Sequence, residues 1–243
     1  MLTIGITGQN GFLGKHLYNS ICLLPETYDL IDCDRSFFEN EPDLDAFVLE
    51  CDVIVHLAAM NRHSDPEVIY NTNIRLVESL IASLERTYSK AHIIMSSSLQ
   101  EEKDNLYGKS KKEGRELFLN WEKNSMGSFS GLIIPNVFGP FGKPNYNSVI
   151  ATFCHKVATN EKPEIHVDGT VSLIYVGELI QEILKVIEER GSNKKLTIKA
   201  TSEIKVSEIL TLLNSYKIQY QNNGEIPTIN STFELNLFNT FRC

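Results

Sequence analysis

The stretch that decides the fold is Met1-Leu-Thr-Ile-Gly-Ile-Thr-Gly-Gln-Asn-Gly-Phe-Leu-Gly14, followed by Lys15-His-Leu-Tyr-Asn-Ser20. Its apolar, β-branched first half predicts a buried strand, and the segment after Gly14 predicts a helix. A strand, a glycine-rich turn and a helix in this order present backbone N–H groups and a helix N-terminus to a pyrophosphate. The alternative is an ordinary strand-turn-helix junction, but the position of the glycines favours dinucleotide binding.

Each glycine of this turn has a predicted role. Gly8 makes the tight turn, Gly11 lets the phosphates approach, and Gly14 lets the helix pack against the strand. We expect further cofactor contacts from the residues between and after them, Asn10, Phe12 and Leu13.

The composition sets limits on the class of protein. With 243 residues, the chain fits one α/β domain, or a nucleotide-binding core with a small added lobe. A net charge of −8 argues against nucleic acid or an anionic membrane as the main partner. The five cysteines are scattered without metal-ligand spacing, and no signal peptide or long apolar span is evident, so we expect reduced cysteines, no metal site and a cytoplasmic location.

Apolar runs alternate with helical segments along the first part of the chain. This alternation is typical of an α/β fold with a Rossmann-type, doubly wound parallel sheet. We expect one domain over 1–243, with a dinucleotide-binding core mainly in 1–140 and a small C-terminal substrate lobe with late core elements in 141–243. The predicted strands are 28–33, 52–59, 91–96, 131–136, 173–176 and 195–200, and the predicted helices are 67–88, 109–123, 147–160, 178–190 and 206–216.

A second set of chemical groups lies at Tyr107-Gly-Lys-Ser-Lys111. On a helix, residues four apart share one face, so Lys111 is expected beside Tyr107. An ammonium beside a phenol stabilises the phenolate, which makes Tyr107 a usable acid near neutral pH. Ser96-Ser-Ser98 ends the preceding predicted strand, where a hydroxyl could polarise a carbonyl or merely cap the strand end.

These motifs occur together in a specific order. The chain carries Thr7-Gly-x-x-Gly-x-x-Gly14, His56-Leu-Ala-Ala59, Asn73, Ser98, Tyr107-x-x-x-Lys111 and Asn136-Val-Phe-Gly-Pro140. Over its whole length it resembles the extended short-chain dehydrogenase/reductase family. It is most similar to one subgroup, the N-terminal reductase half of bifunctional capsular polysaccharide enzymes of the UDP-N-acetyl-L-fucosamine pathway. The segments that carry this closer resemblance are Asn61-Arg62, Ser96-Ser-Ser-Leu-Gln100 and Lys143-Pro-Asn-Tyr-Asn-Ser-Val-Ile-Ala-Thr-Phe-Cys154.

The resemblance implies NADPH-dependent reduction of the 4-keto group on a UDP-linked 2-acetamido-2,6-dideoxyhexose. It gives Tyr107 the role of proton donor, Lys111 that of ribose binding and tuning, and Ser98 that of carbonyl polarisation, with Ser97 as the lesser candidate. Further cofactor contacts are expected from Leu57, Ala58, Ala59, Asn73, Ser96 and Pro135. Substrate contacts are expected from Asn61, Arg62, Ser98, Gln100, Asn136, Lys143, Asn145, Asn147 and Ser148. For Asn73, a buried structural amide is an equal alternative.

The choice between NADP and NAD depends on the residues after the second strand. An acid there would favour NAD through the ribose 2′-OH, whereas an arginine would favour NADP through the 2′-phosphate. The chain has both kinds, Asp32 and Asp34 beside Arg35. Arg35 and the family resemblance favour NADPH, with NAD the less favoured cofactor.

The resemblance also implies partners and leaves alternatives. Relatives pair as homodimers through helices equivalent to 67–88 and 109–123, although these apolar faces could serve only the core. Nothing in this chain matches the metal-binding cupin half of the subgroup, and the sequence leaves open whether the chain is truncated or lacks that partner.

Four residues depart from the pattern of relatives, or decide between reactions. Ile133 and Gly177 stand where many relatives have Arg and Asp, which affects the expected anchoring of the substrate loop. Leu99-Gln100 replaces the acidic pair of sugar-nucleotide dehydratases, so dehydration is disfavoured. The alternatives to a reductase are an epimerase that retains its NAD and a non-catalytic binding module.

Overall fold

The computed structural model describes all residues, 1–243. None of its helices is both long and apolar enough to cross a membrane. In chain order the elements are β1 (Leu2–Thr7), α1 (Phe12–Cys22), β2 (Tyr28–Ile31), α2 (Glu41–Glu50), β3 (Val53–His56), α3 (Pro66–Arg86), β4 (His92–Ser98), α4 (Leu106–Glu122), β5 (Ser128–Ile134), β6 (Asn136–Phe138), α5 (Val149–Ala158), β7 (Thr170–Tyr175), α6 (Val176–Glu189), β8 (Asn193–Thr197), β9 (Ser202–Lys205), α7 (Val206–Tyr216) and α8 (Thr232–Phe241). Short 3₁₀ turns cover Arg35–Glu39 and Leu99–Glu102, and a π-helical turn covers Lys217–Asn222.

The larger sheet has six parallel strands in the order β2-β1-β3-β4-β5-β8. The strand order reverses between β1 and β3, and sheets of this type bind ligands beyond the carboxyl ends of the strands at such a point. The register pairs Thr7 with His56 and His56 with Met95. The segments that follow β1, β3 and β4 therefore leave the sheet at the same edge. This architecture confirms the predicted Rossmann-type α/β fold.

The strands form because their apolar residues are buried on both faces, as in other parallel sheets covered by helices. Ile4, Ile54 and Ile93 are fully buried in the first, third and fourth strands. Phe118 of α4 stacks on Phe129 of β5 with ring centroids 5.3 Å apart. This packing fixes α4 against the sheet, and α4 carries the tyrosine and the lysine singled out by the sequence.

The chain divides into two compact units, each made of two segments. The first unit comprises 1–134 and 180–198 and holds the six-stranded sheet. The second unit comprises 135–179 and 199–243 and holds a three-stranded sheet in the order β6-β7-β9. Strand β9 runs antiparallel to β7, whereas β6 is parallel to it. The predicted strand 195–200 corresponds to β8, which belongs to the first unit.

Several predicted bounds and omissions are corrected by the structure. The predicted strand 52–59 ends at His56, because the chain turns away after it to form the segment 57–60. Helix α8 was missed because its sequence is short and weakly periodic. It begins where the Ser231 hydroxyl accepts the Glu234 N–H, and it buries Leu237 and Phe238 in the core of the second unit. Sequence analysis also omitted α2, β6 and β9.

Candidate active site

The glycine-rich turn between β1 and α1 has the tight geometry expected of it. Gly8 has a φ of +77°, and the Gly11 N–H donates to the Gly8 carbonyl at 2.9 Å. A Cβ on Gly14 would lie 2.2 Å from the Gly8 oxygen, and a Cβ on Gly8 would lie 2.8 Å from the Ala58 nitrogen. Only glycine allows these approaches. The turn also contains the predicted cofactor contacts Asn10, Phe12 and Leu13.

The N-terminus of α1 keeps its backbone donors available. Gly11 is its N-cap, so no side chain caps the helix, and its first turn has no acidic residue. The first N–H groups of a helix have no intrahelical partner and carry a partial positive charge. This end of α1 can therefore bind an anionic group such as a pyrophosphate.

The end of β3 is held against the glycine-rich turn by buried polar groups. The Thr7 hydroxyl hydrogen-bonds the His56 Nδ1 at 2.9 Å and accepts the Ala58 N–H at 3.3 Å. Burial, together with the charge of Lys111, lowers the pKa of His56 to about 3. His56 is therefore neutral and structural, and it supports the segment that contains the predicted contacts Leu57, Ala58 and Ala59.

Asn73 of α3 is a buried structural amide. Its Nδ2 donates to the Met60 carbonyl at 3.1 Å and to the Ser110 hydroxyl at 3.0 Å. Its Oδ1 accepts the Met60 N–H at 2.7 Å. Both amide protons are thus used inside the protein, and they tie the segment after β3 to α4. Direct contact of Asn73 with a cofactor stays a prediction.

The tyrosine and lysine of the sequence motif lie together at the start of α4. This helix begins at Leu106 because the Asn105 side chain accepts the Gly108 N–H at 2.8 Å. The Nζ of Lys111 lies 5.9 Å from the centroid of the Tyr107 ring and donates to the Ser96 carbonyl at 3.0 Å. Tyr107 is half-buried and Lys111 is buried.

Burial lowers the pKa of Lys111 to about 8, against the opposing effect of the Glu101 carboxylate. Lysine at this site is therefore charged at neutral pH and loses its charge at a lower pH than lysine in water. The positive charge lies beside the phenol that the sequence predicts as a proton donor.

The serines at the end of β4 differ in how their hydroxyls are used. Ser98 is half-buried, and its Oγ accepts the Gln100 N–H at 3.2 Å, which leaves its own proton available to donate. Ser97 is buried and donates its proton to the Glu101 carboxylate. Ser96 donates to the His56 carbonyl at 3.4 Å. Of the three, Ser98 is the hydroxyl best placed to polarise a carbonyl.

Close backbone packing joins the turn that follows Ser98 to the helical turn that carries Tyr107. The 3₁₀ turn Leu99–Glu102, called the 99–102 turn below, follows Ser98 directly. A Cβ on Gly108 would lie 2.0 Å from the Gln100 carbonyl oxygen of this turn. The turn and the first turn of α4 therefore meet backbone to backbone.

The three charged candidates after β2 are in different states. The Asp34 carboxylate accepts the Ser36 N–H at 2.8 Å and the Ser36 hydroxyl at 2.7 Å, and these bonds lower the pKa of Asp34. Asp34 thus caps the Arg35–Glu39 turn. Asp32 accepts a long hydrogen bond of 3.4 Å from Gln9. Arg35 is exposed, so its guanidinium can reach an anionic group.

A sequence profile of the NAD dependent epimerase/dehydratase family matches residues 4–198, which include the glycine-rich turn and the tyrosine-lysine pair. The chain belongs to this family. The match confirms the family predicted from the motifs.

Individual proteins add closer similarities. The chain is 29% identical over 220 residues to UDP-2-acetamido-2,6-beta-L-arabino-hexul-4-ose reductase of Pseudomonas aeruginosa, a match over 87% of this chain and 57% of that protein. It is 31% identical to the capsular polysaccharide assembling protein CapF from Staphylococcus aureus, with a TM-score of 0.81 over 99% of this chain and 64% of CapF. These similarities confirm the predicted resemblance to capsular polysaccharide enzymes. The chain spans less than two thirds of the length of either relative.

One structural match covers nearly the whole length of both chains. RMD from Pseudomonas aeruginosa, whose structure was solved complexed with NADPH, has a TM-score of 0.85 over 100% of this chain and 98% of its own. The sequence identity is 18%, so this match shows the fold alone.

The second unit contains five of the predicted substrate residues. Asn136 begins β6, is exposed, and donates from Nδ2 to the Ser172 carbonyl at 3.2 Å. Lys143 is exposed, with its Nζ 5.2 Å from the centroid of the Tyr146 ring. The other three are Asn145, Asn147 and Ser148. Asn145 has a φ of +55°, and its N–H donates to the Thr152 hydroxyl. Asn147 is exposed, and Ser148 caps α5.

A cleft of about 410 Å³ borders this segment in the second unit. It is lined by Phe141, Pro144 and His155 among others. It includes none of the predicted substrate residues, which stay predictions.

The remaining predicted residues lie in the first unit, except Pro135, which is the first residue of the second unit. Asn61 and Arg62 are exposed in the segment between β3 and α3, and Gln100 is half-buried in the 99–102 turn. Pro135 is buried and follows β5 directly.

Sequence analysis missed a buried ion pair behind the serines. Glu101 and Arg115 lie fourteen residues apart in the sequence, and no periodic pattern connects a 3₁₀ turn to the middle of a helix.

Proposed function

We propose that this chain is an NADPH-dependent reductase of the 4-keto group of a UDP-2-acetamido-2,6-dideoxyhexos-4-ulose. The observation that carries the proposal is the grouping of Tyr107, Lys111 and Ser98. The Lys111 ammonium lies 5.9 Å from the Tyr107 ring, and the Ser98 hydroxyl keeps a proton to donate. A proton donor, a fixed positive charge and a carbonyl-polarising hydroxyl are what ketone reduction by hydride transfer requires.

The residues of the first unit fit a dinucleotide. The cradle formed by Gly8 and Gly14 would be filled by any Cβ, and the uncapped end of α1 offers N–H donors to the pyrophosphate. Asp34 is engaged by Ser36, whereas Arg35 is exposed and can pair with a 2′-phosphate. This difference supports NADPH over NADH, in agreement with the cofactor bound by RMD.

When bound, NADPH supplies the hydride that the carbonyl carbon receives. Ser98 donates a hydrogen bond to the carbonyl oxygen and polarises it. Tyr107 transfers its phenolic proton to the same oxygen as negative charge develops, which yields the alcohol. Lys111 would hold the ribose hydroxyls of the bound cofactor. Its positive charge stabilises the phenolate that remains, and Tyr107 regains its proton from solvent.

The acidic groups near the site support reduction over dehydration. Glu101 is bound by Arg115, and Glu102 forms an exposed ion pair with Lys195 at 2.9 Å. Neither carboxylate is poised as an acid or base for elimination. The proposed substrate follows from the activity named for the Pseudomonas aeruginosa relative.

We further propose that the enzyme works in the cytoplasm as a homodimer formed through α3 and α4. The residues that bind the sugar nucleotide are proposed to be Asn61, Arg62, Gln100, Asn136, Lys143, Asn145, Asn147 and Ser148. A cupin epimerase domain, as in the bifunctional relatives, would then act on the same sugar.

The test is NADPH consumption with a UDP-4-keto-6-deoxy-N-acetylhexosamine, with and without an added 3-epimerase. We expect turnover in the wild type and a loss of about 10²–10⁴-fold in Tyr107→Phe, the usual contribution of a positioned proton donor. The matched control is Tyr88→Phe, because Tyr88 is exposed and lies beyond the end of α3.

Two other outcomes would contradict the proposal. Tightly retained NAD with interconversion of 4-epimers and no net NADPH consumption would identify an epimerase. Binding of NADPH and UDP-sugar without any turnover, with or without the 3-epimerase, would identify a binding module.

A further inference from the structure

A buried ion pair lies behind the end of β4. Arg115 of α4 donates from Nε to the Glu101 Oε1 at 3.0 Å and from Nη2 to the Glu101 Oε2 at 2.9 Å. The side chains are 9% and 2% exposed, respectively. Glu101 also accepts the Ser97 hydroxyl. Two parallel bonds from a guanidinium to a carboxylate fix both groups in direction as well as in distance.

This ion pair joins the two elements that carry the proposed chemistry. Glu101 is in the 99–102 turn, which starts next to Ser98. Arg115 lies one helical turn beyond Lys111, which itself lies one turn beyond Tyr107. A shift of the pair would therefore move Ser98 relative to the phenol.

The sheet leaves room for the arginine. A Cβ on Gly131 of β5 would lie 2.6 Å from the Arg115 Cδ, so the aliphatic part of Arg115 packs against the bare backbone there. A buried carboxylate without a partner is strongly unfavourable, and Arg115 provides that partner.

We propose that Glu101 and Arg115 are positioning residues for the reduction, which hold the Ser98 hydroxyl at its distance from Tyr107 and keep a negative charge near Lys111. This inference rests on the proposed function. It identifies a pair, outside the tyrosine-lysine motif, on which the catalytic geometry depends.

The negative charge of Glu101 acts on Lys111 through space. It raises the pKa of Lys111, against the lowering by burial. The other charged or titratable groups near Lys111 are Tyr107 and Arg115 on its own helix and neutral His56 on β3. Removal of the Glu101 charge should therefore lower the pH at which Lys111 loses its proton.

The experiment compares Glu101→Gln with the matched control Glu102→Gln. The glutamine at 101 keeps the shape, and its one carbonyl oxygen can still accept from Ser97 and the Arg115 Nε, although its amide nitrogen cannot accept from Nη2. Glu102 is 75% exposed in its surface pair with Lys195. We expect Glu101→Gln to lower kcat on the order of 100-fold, as a misplaced reacting group does, with the KM for NADPH little changed. The pH at which kcat falls on the alkaline side should be lower for Glu101→Gln than for the wild type. Glu102→Gln should match the wild type in both.

Further variants keep the test decisive if a single variant does not fold. The double variant Glu101→Gln/Arg115→Met removes both charges and leaves none unpaired. It should fold and still lose kcat. Arg115→Lys keeps the positive charge but loses the bidentate geometry, and it should retain only part of the wild-type kcat.

The outcomes separate this inference from the proposed function. A wild type that reduces no 4-keto sugar overturns the proposed function and this inference with it. If the wild type is active and the folded Glu101→Gln variant, or the folded double variant, keeps the wild-type kcat and pH profile, the positioning role alone is overturned. Lower thermal stability with unchanged kcat and pH profile would show a merely structural pair and would overturn it as well.

Discussion

The contact between Gly108 and the Gln100 carbonyl gives a sharp prediction about Gly108→Ala. The new methyl would lie 2.0 Å from that oxygen, so the contact must open by about 1 Å or more to reach ordinary van der Waals separation. Alanine gains about 1 kcal/mol over glycine in a helix, but forced overpacking costs about 1–3 kcal/mol. Because both partners are backbone, the cost lies in the upper part of this range, and we expect a net loss of about 1–2 kcal/mol in the free energy of unfolding. We also expect kcat to fall about 100-fold, because Tyr107 moves with the turn.

Gly114→Ala in the same helix is the matched control. Its Cβ would meet the terminal methyl of Met95 at 2.9 Å and a methyl of Val77 at 3.1 Å, and the long Met95 side chain can move away. Urea denaturation and NADPH consumption at saturating substrate measure both variants. The reasoning is refuted if Gly108→Ala is as stable and as active as Gly114→Ala, because the 99–102 turn would then move away from the new methyl without a cost in stability or activity.

Three further predictions concern the cofactor and pH. Gly14→Ala should weaken NADPH binding more than tenfold in calorimetric titration, since overpacking by about 2 kcal/mol displaces the turn, whereas Gly169→Ala, outside this turn and with its Cβ 4.0 Å from the nearest atom, should bind normally. Arg35→Ser should raise the KM for NADPH about tenfold and leave that for NADH unchanged, because a charge-assisted hydrogen bond to the 2′-phosphate contributes about 1.5–3 kcal/mol; equal effects on both cofactors would contradict the assignment. His56 and His92 have folded-state pKa values of about 3 and about 4, below the unfolded value, so the unfolded chain takes up protons first and stability falls as pH drops below about 6.5. Urea unfolding at pH 4.5 should show a loss of about 2–3 kcal/mol for each histidine, and His92→Gln should remove one such loss.

The local motifs could be predicted from the sequence because short spacings fix their geometry. Gly8 and Gly14 required a left-handed turn and a close approach, and the structure has both. The four-residue spacing of Tyr107 and Lys111 placed them on one helical face. These features depend on the backbone of a few neighbouring residues, which the sequence specifies directly.

Features that depend on distant partners could not be predicted. The Asn73 amide hydrogen-bonds Met60 and Ser110, and Glu101 forms an ion pair with Arg115, because tertiary packing brings these groups together. The difference between Ser97 and Ser98 likewise depends on which hydroxyl meets Glu101.

The pairing of β5 with β8 has a consequence for synthesis on the ribosome. Ser130 pairs with Asn193, which emerges 63 residues later, after the whole segment 135–179 of the second unit. At translation rates of about 5–20 residues per second, the outer edge of β5 has no strand partner for about 3–13 s. Unpaired strand edges favour association between chains, so the nascent protein is exposed to aggregation during this interval.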